Sequence, residues 1–86
     1  MWEVRKSPLR LERRFEFDNY QQSSQFMKEI DSLCKENKIY PNISFGTKFV
    51  SITILPDIEE ISVEEREFTV KINEKFTNLV PKLIFG

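Results

Sequence analysis

Few side chains in this sequence could do chemistry, and their types narrow the function before any fold is considered. Its 86 residues include no histidine and a single cysteine, Cys34. Zinc and similar soft metals need converging imidazoles or thiolates, so no such site can be assembled. A lone cysteine forms no internal disulfide framework and suits a reducing cytoplasm. Cys34 falls on the apolar stripe of a predicted helix, where it reads as a small core residue with an inert thiol. What remains is charge. Met1 to Arg14 carries Arg5, Lys6, Arg10, Arg13 and Arg14 against Glu3 and Glu12, while Asp57 to Glu67 carries Asp57, Glu59, Glu60, Glu64, Glu65 and Glu67 against Arg66. The residues suited to contact a protein partner are Arg10, Arg13 and Arg14 on the basic stretch, with Tyr40, Asn42, Ser44 and Lys48 on a hairpin. Ordinary solvated faces, and for Tyr40 simple sheet packing, are the plain alternatives. With a net charge of only −1, a general affinity for nucleic acid or an anionic membrane has no support.

The elements that must carry these groups follow from apolar periodicity. Leu9 to Phe17 alternates, with Leu9, Leu11, Phe15 and Phe17 on one face and Arg10, Glu12, Arg14 and Glu16 on the other, as in an amphipathic strand. Arg13 interrupts the apolar face; it either snorkels at the sheet edge, covering apolar surface with its stem, or meets a partner carboxylate. From Asp18 to Asn37 the period becomes helical. Asp18 is the predicted cap, with Gln21 three residues on, and Tyr20, Phe26, Met27, Ile30, Leu33 and Cys34 form the buried stripe. Ile39 to Leu55 reads as a hairpin reversed at Gly46. Ile39, Pro41, Ile43, Phe45, Val50, Ile52 and Ile54 take its core face, and Tyr40, Asn42, Ser44, Phe49, Ser51, Thr53 and Leu55 its outer face.

Pro56 closes the hairpin and Asp57 to Ile61 forms an acidic loop. Ser62 and Glu65 make a capping box with Ile61 as a hydrophobic staple, and a second helix follows. Its stripe is Phe68, Thr69, Ile72 and Phe76, leaving Glu64, Glu67, Lys71, Lys75 and Asn78 toward water. Trp2 docks on the body, and the apolar tail Leu79 to Gly86 packs on its own domain or across an oligomer interface. The order is strand, helix, strand, strand, helix, with room for a short extra strand near Trp2. It predicts an α+β fold, a two-layer sandwich of a mainly antiparallel sheet with two helices on one face. Residues 1–86 read as one domain. No apolar run approaches the roughly 18 residues that span a bilayer, and no signal-peptide succession opens the chain, so a soluble cytoplasmic protein is expected.

The pattern resembles the pterin-4a-carbinolamine dehydratases, small α/β proteins that recycle oxidised tetrahydrobiopterin. The residues carrying the resemblance are Phe15 and Phe17, then Tyr20, Ser23, Phe26, Ile30 and Cys34, then Pro41, Val50, Ile52, Ile54 and Ile61-Ser62-x-x-Glu65. It runs from about Phe15 to Asn73, and each motif is individually short. Where the family has paired histidines this chain has Ile39 and Tyr40, and Asp57 stands in place of the third. Each positioned acid–base group contributes about 10²- to 10⁴-fold to such a dehydration, so losing all three implies loss of useful catalysis. The carboxylate of Asp57 and the phenol of Tyr40 are poorly matched to proton transfer at neutral pH. The family's Gly-rich loop is replaced by Asp57, Ile58, Glu59 and Glu60.

Histidine-free relatives of that fold, the Rubisco assembly factors found with α-carboxysome genes, are more similar still. They are matched by Trp2, by Pro8-Leu9-Arg10-Leu11-Glu12-Arg13-Arg14 and by Tyr40-Pro41-Asn42-Ile43-Ser44-Phe45-Gly46. The resemblance implies a non-catalytic chaperone for the Rubisco large subunit, acting as a homodimer in the cytoplasm or with the carboxysome. No cofactor, small-molecule substrate, nucleic acid or membrane is implied as a partner. A coactivator-like protein-binding module and a residual dehydratase are the alternatives.

Overall fold

The computed structural model describes residues 1–80, and its framework is a four-stranded antiparallel sheet. Strands β1 (Glu3–Arg5), β2 (Arg10–Glu16), β3 (Asn42–Phe45) and β4 (Phe49–Ile54) lie in the order β1-β2-β4-β3. Helices α1 (Tyr20–Asn37) and α2 (Val63–Leu79) complete the predicted α+β sandwich. The short extra strand is β1, and it is an edge. Register follows the alternation: Leu11 pairs with Ile54, Phe15 with Val50 and Ile43 with Ile52, so the apolar positions of three strands share one face. There they meet Phe26 and Ile30 of α1 and Phe68 and Ile72 of α2, all fully buried. Full burial of each such side chain contributes about 1.5 to 3 kcal/mol, which makes this seam the source of most of the fold's stability.

Phenylalanine rings bind the layers together. Phe15 lies 4.9 Å from Phe26 and 5.0 Å from Phe76, and Phe17 lies 5.2 and 5.4 Å from the same two rings. Trp2 docks as expected, meeting Phe15 edge-on at 6.0 Å and donating from its indole to Asn73 Oδ1 at 2.8 Å. Ser23 is buried because α1 approaches the hairpin turn closely; its hydroxyl lies 2.8 Å from the Thr47 carbonyl.

Four local expectations change. The cap of α1 is Asn19 rather than Asp18: Asn19 is extended and its side chain accepts from Gln22 N–H, while Gln22 reaches back to the Asp18 N–H. Asparagine and aspartate are comparable caps, so the backbone conformation decides between them. Tyr20, placed on the buried stripe, is 60% exposed, and Phe45, placed on the hairpin's core face, is 63% exposed at the end of edge strand β3. Gly46 keeps its predicted place in the reversal, where a Cβ would overlap the Phe49 ring. Lys75, assigned to water, lies half-buried between the helices with Glu29 at 3.7 Å. The second capping box forms as read, Ser62 Oγ accepting from Glu65 N–H and Glu65 Oε1 from Ser62 N–H. Of the apolar tail, Leu79 ends α2 and Val80 is buried, whereas residues 81–86 lie outside the described residues.

Candidate functional site

Two regions hold the residues singled out by the sequence. The first is a cleft where α1 hands the chain to β3. Lys38 takes a left-handed conformation (φ 56°), and its N–H and that of Ile39 both reach the Cys34 carbonyl. This turn ends the helix and presents Ile39, Tyr40 and Pro41 beside the end of β4. From the other side, Pro56 stops β4 and the loop to Ser62 brings Asp57 across. Ile39, Tyr40, Pro41, Leu55, Asp57 and Glu65 thus wall a cleft of about 290 Å³. Ile39, Tyr40 and Asp57, which the sequence resemblance sets in the place of the family's histidines, are brought together although Ile39 and Asp57 are eighteen positions apart.

Chemically this cleft is poor. Glu65 is committed to the capping box, Tyr40 is 71% exposed and Asp57 is exposed. Among the described residues no group of His, Cys, Asp and Glu converges as a metal site would require. The thiol of Cys34 lies beneath the turn, and burial, with a smaller push from Asp31, raises its pKa. A raised pKa leaves less thiolate at neutral pH and so a less reactive group.

The second region is the sheet face turned away from the helices. Arg14, Ser51 and Ser44 form one row across three strands, and Glu3, Glu12, Thr53 and Asn42 another. Arg14 stacks over the Phe49 ring at 4.0 Å and meets Glu16 at 3.2 Å. Arg5 and Arg10 share Glu12, at 2.7 and 3.4 Å, and Arg10 also donates to the Pro8 carbonyl. Lys48 is exposed in the β3–β4 turn, where its carbonyl accepts from Phe17 N–H. Arg10, Arg14, Asn42, Ser44 and Lys48 are therefore gathered on or beside one surface, and Tyr40 belongs to the cleft.

Arg13 departs from the other two arginines. Its position pairs with Ile52 on the helix side, its guanidinium lies 4.3 Å from the Phe15 ring centroid, and Nη1 donates to Asn73 Oδ1 at 2.6 Å. Nε is buried without a hydrogen-bond partner. Partial burial lowers the guanidinium's pKa from its usual range, although an arginine stays charged at any physiological pH. Arg13 thus joins sheet to helix through Asn73. Asn73 was missed by reading the sequence, since nothing local marks an asparagine that accepts from two donors 60 and 71 residues away.

Residues 1–74 match the family model of pterin 4 alpha carbinolamine dehydratase. The chain belongs to that family. Two solved structures support the assignment. A pterin dehydratase-like protein identified as a RuBisCO assembly factor in the α-carboxysome superposes with a TM-score of 0.80 at 30% identity, covering 87% of this chain and 88% of that one. A transcriptional coactivator/pterin dehydratase from Brucella melitensis superposes with a TM-score of 0.78 at 15% identity over 86% of this chain and 80% of its own, a likeness of fold. Curated protein sequences give no significant match. As a pterin dehydratase-like protein, this chain keeps the family's frame and contains no histidine.

Proposed function

We propose that this dehydratase-like chain is a non-catalytic assembly factor for the Rubisco large subunit, working as a dimer in the cytoplasm or at the α-carboxysome. The observation carrying this reading is the cleft in which Ile39, Tyr40 and Asp57 stand together where the family's imidazoles are expected. No imidazole stands there to move protons, so the frame serves recognition. The 30% identity to a RuBisCO assembly factor, over most of both chains, supports Rubisco as the client. The client contacts assigned are Arg10, Arg14, Asn42, Ser44 and Lys48 on the outer sheet face, with Tyr40 at the cleft. A polar surface whose arginines are largely paired within it suits reversible binding, since assembly requires release as well as capture. Arg13 supports this surface from behind and does not touch the client.

The test is co-expression with cognate Rubisco subunits. The reading expects more assembled holoenzyme with the chain than without it, and unchanged yield would refute it. The catalytic side is checked separately: turnover of a 4a-hydroxytetrahydropterin should equal the uncatalysed rate. Acceleration lost in Asp57→Ala would show a working dehydratase.

A further inference from the structure

The two charged stretches end in different electrostatic states. On the sheet face Arg5, Arg10 and Arg14 of the basic stretch are met by Glu3, Glu12 and Glu16. The acidic stretch is not so treated: Asp57, Glu60 and Glu64 are exposed and form no ion pair with any described residue. The first turn of α2 favours negative charge, which accounts for Glu64 and Glu65, but a helix dipole's influence falls off within that turn. It gives no reason for Asp57 and Glu60, which precede the cap.

These carboxylates surround exposed apolar side chains. Tyr40 is 71%, Ile58 66% and Leu55 47% exposed. A second hollow of about 330 Å³ adjoins the cleft, and the two share Ile39, Asp57 and Glu65 as walls. Together they make one open groove with apolar contact points and an acidic rim, Lys38 being the cation at its margin. A compact small molecule is held in an enclosed pocket that buries most of its surface, which an open groove does not provide. The acids do not converge on a metal position, and their charge repels nucleic acid.

We infer that this groove binds an extended polypeptide segment of a protein partner in which an apolar residue is flanked by lysine or arginine. The apolar residue packs among Tyr40, Leu55 and Ile58, and the flanking cations meet Asp57, Glu60 and Glu64. Charge complementarity chooses the partner and its direction, and the apolar contact supplies the anchor. This inference rests on the reading of the chain as a protein-binding module and names the chemistry of the segment it holds.

The experiment is an NMR amide titration of the full chain with a short synthetic peptide bearing a central leucine between arginines. Two control peptides replace the arginines by glutamates or the leucine by alanine. The arginine–leucine peptide should shift the amides of Tyr40, Leu55 and Ile58, and both controls should bind more weakly. The affinity should fall about tenfold in Asp57→Lys/Glu60→Lys, a change of roughly 1.4 kcal/mol, and should weaken with added salt. Both positions are exposed loop residues without a side-chain hydrogen bond to any described residue, so the variant's melting curve should match that of the native chain. Equal affinity of the alanine control, indifference to the charge reversal, or shifts confined to the outer sheet face would each overturn the inference. Dissociation of a dimer by Asp57→Lys/Glu60→Lys would also overturn it, by making a second copy the occupant. If the peptide binds as described while Rubisco yield is unchanged by the chain, the groove stands and the Rubisco reading falls.

Discussion

On the outer sheet face Arg5 and Arg10 close on Glu12 and Arg14 on Glu16, whereas in the groove beside Tyr40 the carboxylates of Asp57, Glu60 and Glu64 have no described counter-ion. The two stretches look symmetrical in sequence, one basic and one acidic. In three dimensions Arg5, Arg10 and Arg14 of the first are paired because β2 alternates arginine and glutamate on one face, and β1 adds Glu3 and Arg5 beside them. In the acidic loop Glu59 shares a hollow with Lys6, while Asp57, Glu60 and Glu64 form no ion pair with any described residue. Charge along a chain therefore sets a field only where folding leaves it uncompensated.

The comparison can be broken from beneath by removing Asn73. Asn73→Ala leaves Arg13 Nη1 and Trp2 Nε1 without their acceptor, and orphaned part-buried donors cost about 1 to 3 kcal/mol each when fully desolvated, so a loss of roughly 2 kcal/mol is expected. Urea unfolding should show a lower midpoint with an unchanged slope. Next comes the groove's acidic wall: Ser62→Ala removes the Oγ acceptor of the capping box, costing about 1 kcal/mol. Amide exchange at Val63 to Arg66 should quicken while β2 amides keep their protection. Smaller again is Glu12→Gln, which takes away the carboxylate that Arg5 and Arg10 share. These side chains are between 27% and 51% exposed, so screening limits the stability change to under about 1 kcal/mol. Its sharper signature is that melting temperature should lose part of its dependence on salt.

The smallest effect concerns the turn that opens the cleft. Burial raises the Cys34 pKa above its ordinary 9.0, so the folded chain holds that proton more tightly than the unfolded one. The resulting stability is fully present below pH 9.0, the ordinary value, and is lost as pH rises through the folded value. The stability difference between the native chain and Cys34→Ala should accordingly be constant near neutrality and narrow at alkaline pH. A difference that widened instead would show the thiolate to be favoured in the folded chain.

Features with local causes were legible in the sequence. The Val50, Ile52, Ile54 alternation fixed β4, and Ser62 with Glu65 fixed the start of α2, because a period or a three-residue reach suffices for each. Fold class followed from the order of such segments, and the family from the resemblance that their motifs carry. Asn19 displaced Asp18 as a cap because both residues can accept from the first turn and only the backbone angles choose. Tyr20 was misplaced because Ser23, a small residue one turn later, is what lets α1 approach the Thr47 carbonyl. The candidate contacts were legible as residue types but not as a surface. Arg13 and Arg14 are adjacent in sequence and face opposite sides of the sheet, one over Phe15 and the other over Phe49. The groove needs Tyr40, Ile58 and Glu64 in one place, a proximity that no periodicity encodes.

The most direct measurement is the yield of assembled Rubisco when its cognate subunits are co-expressed with the native chain, with Asp57→Lys/Glu60→Lys, or with no partner chain. The native chain should raise the yield above the partner-free level and the charge-reversed chain, equally folded, should not. A yield the same in all three would contradict the assembly role, and a charge-reversed chain as effective as the native one would contradict the place given to the acidic groove.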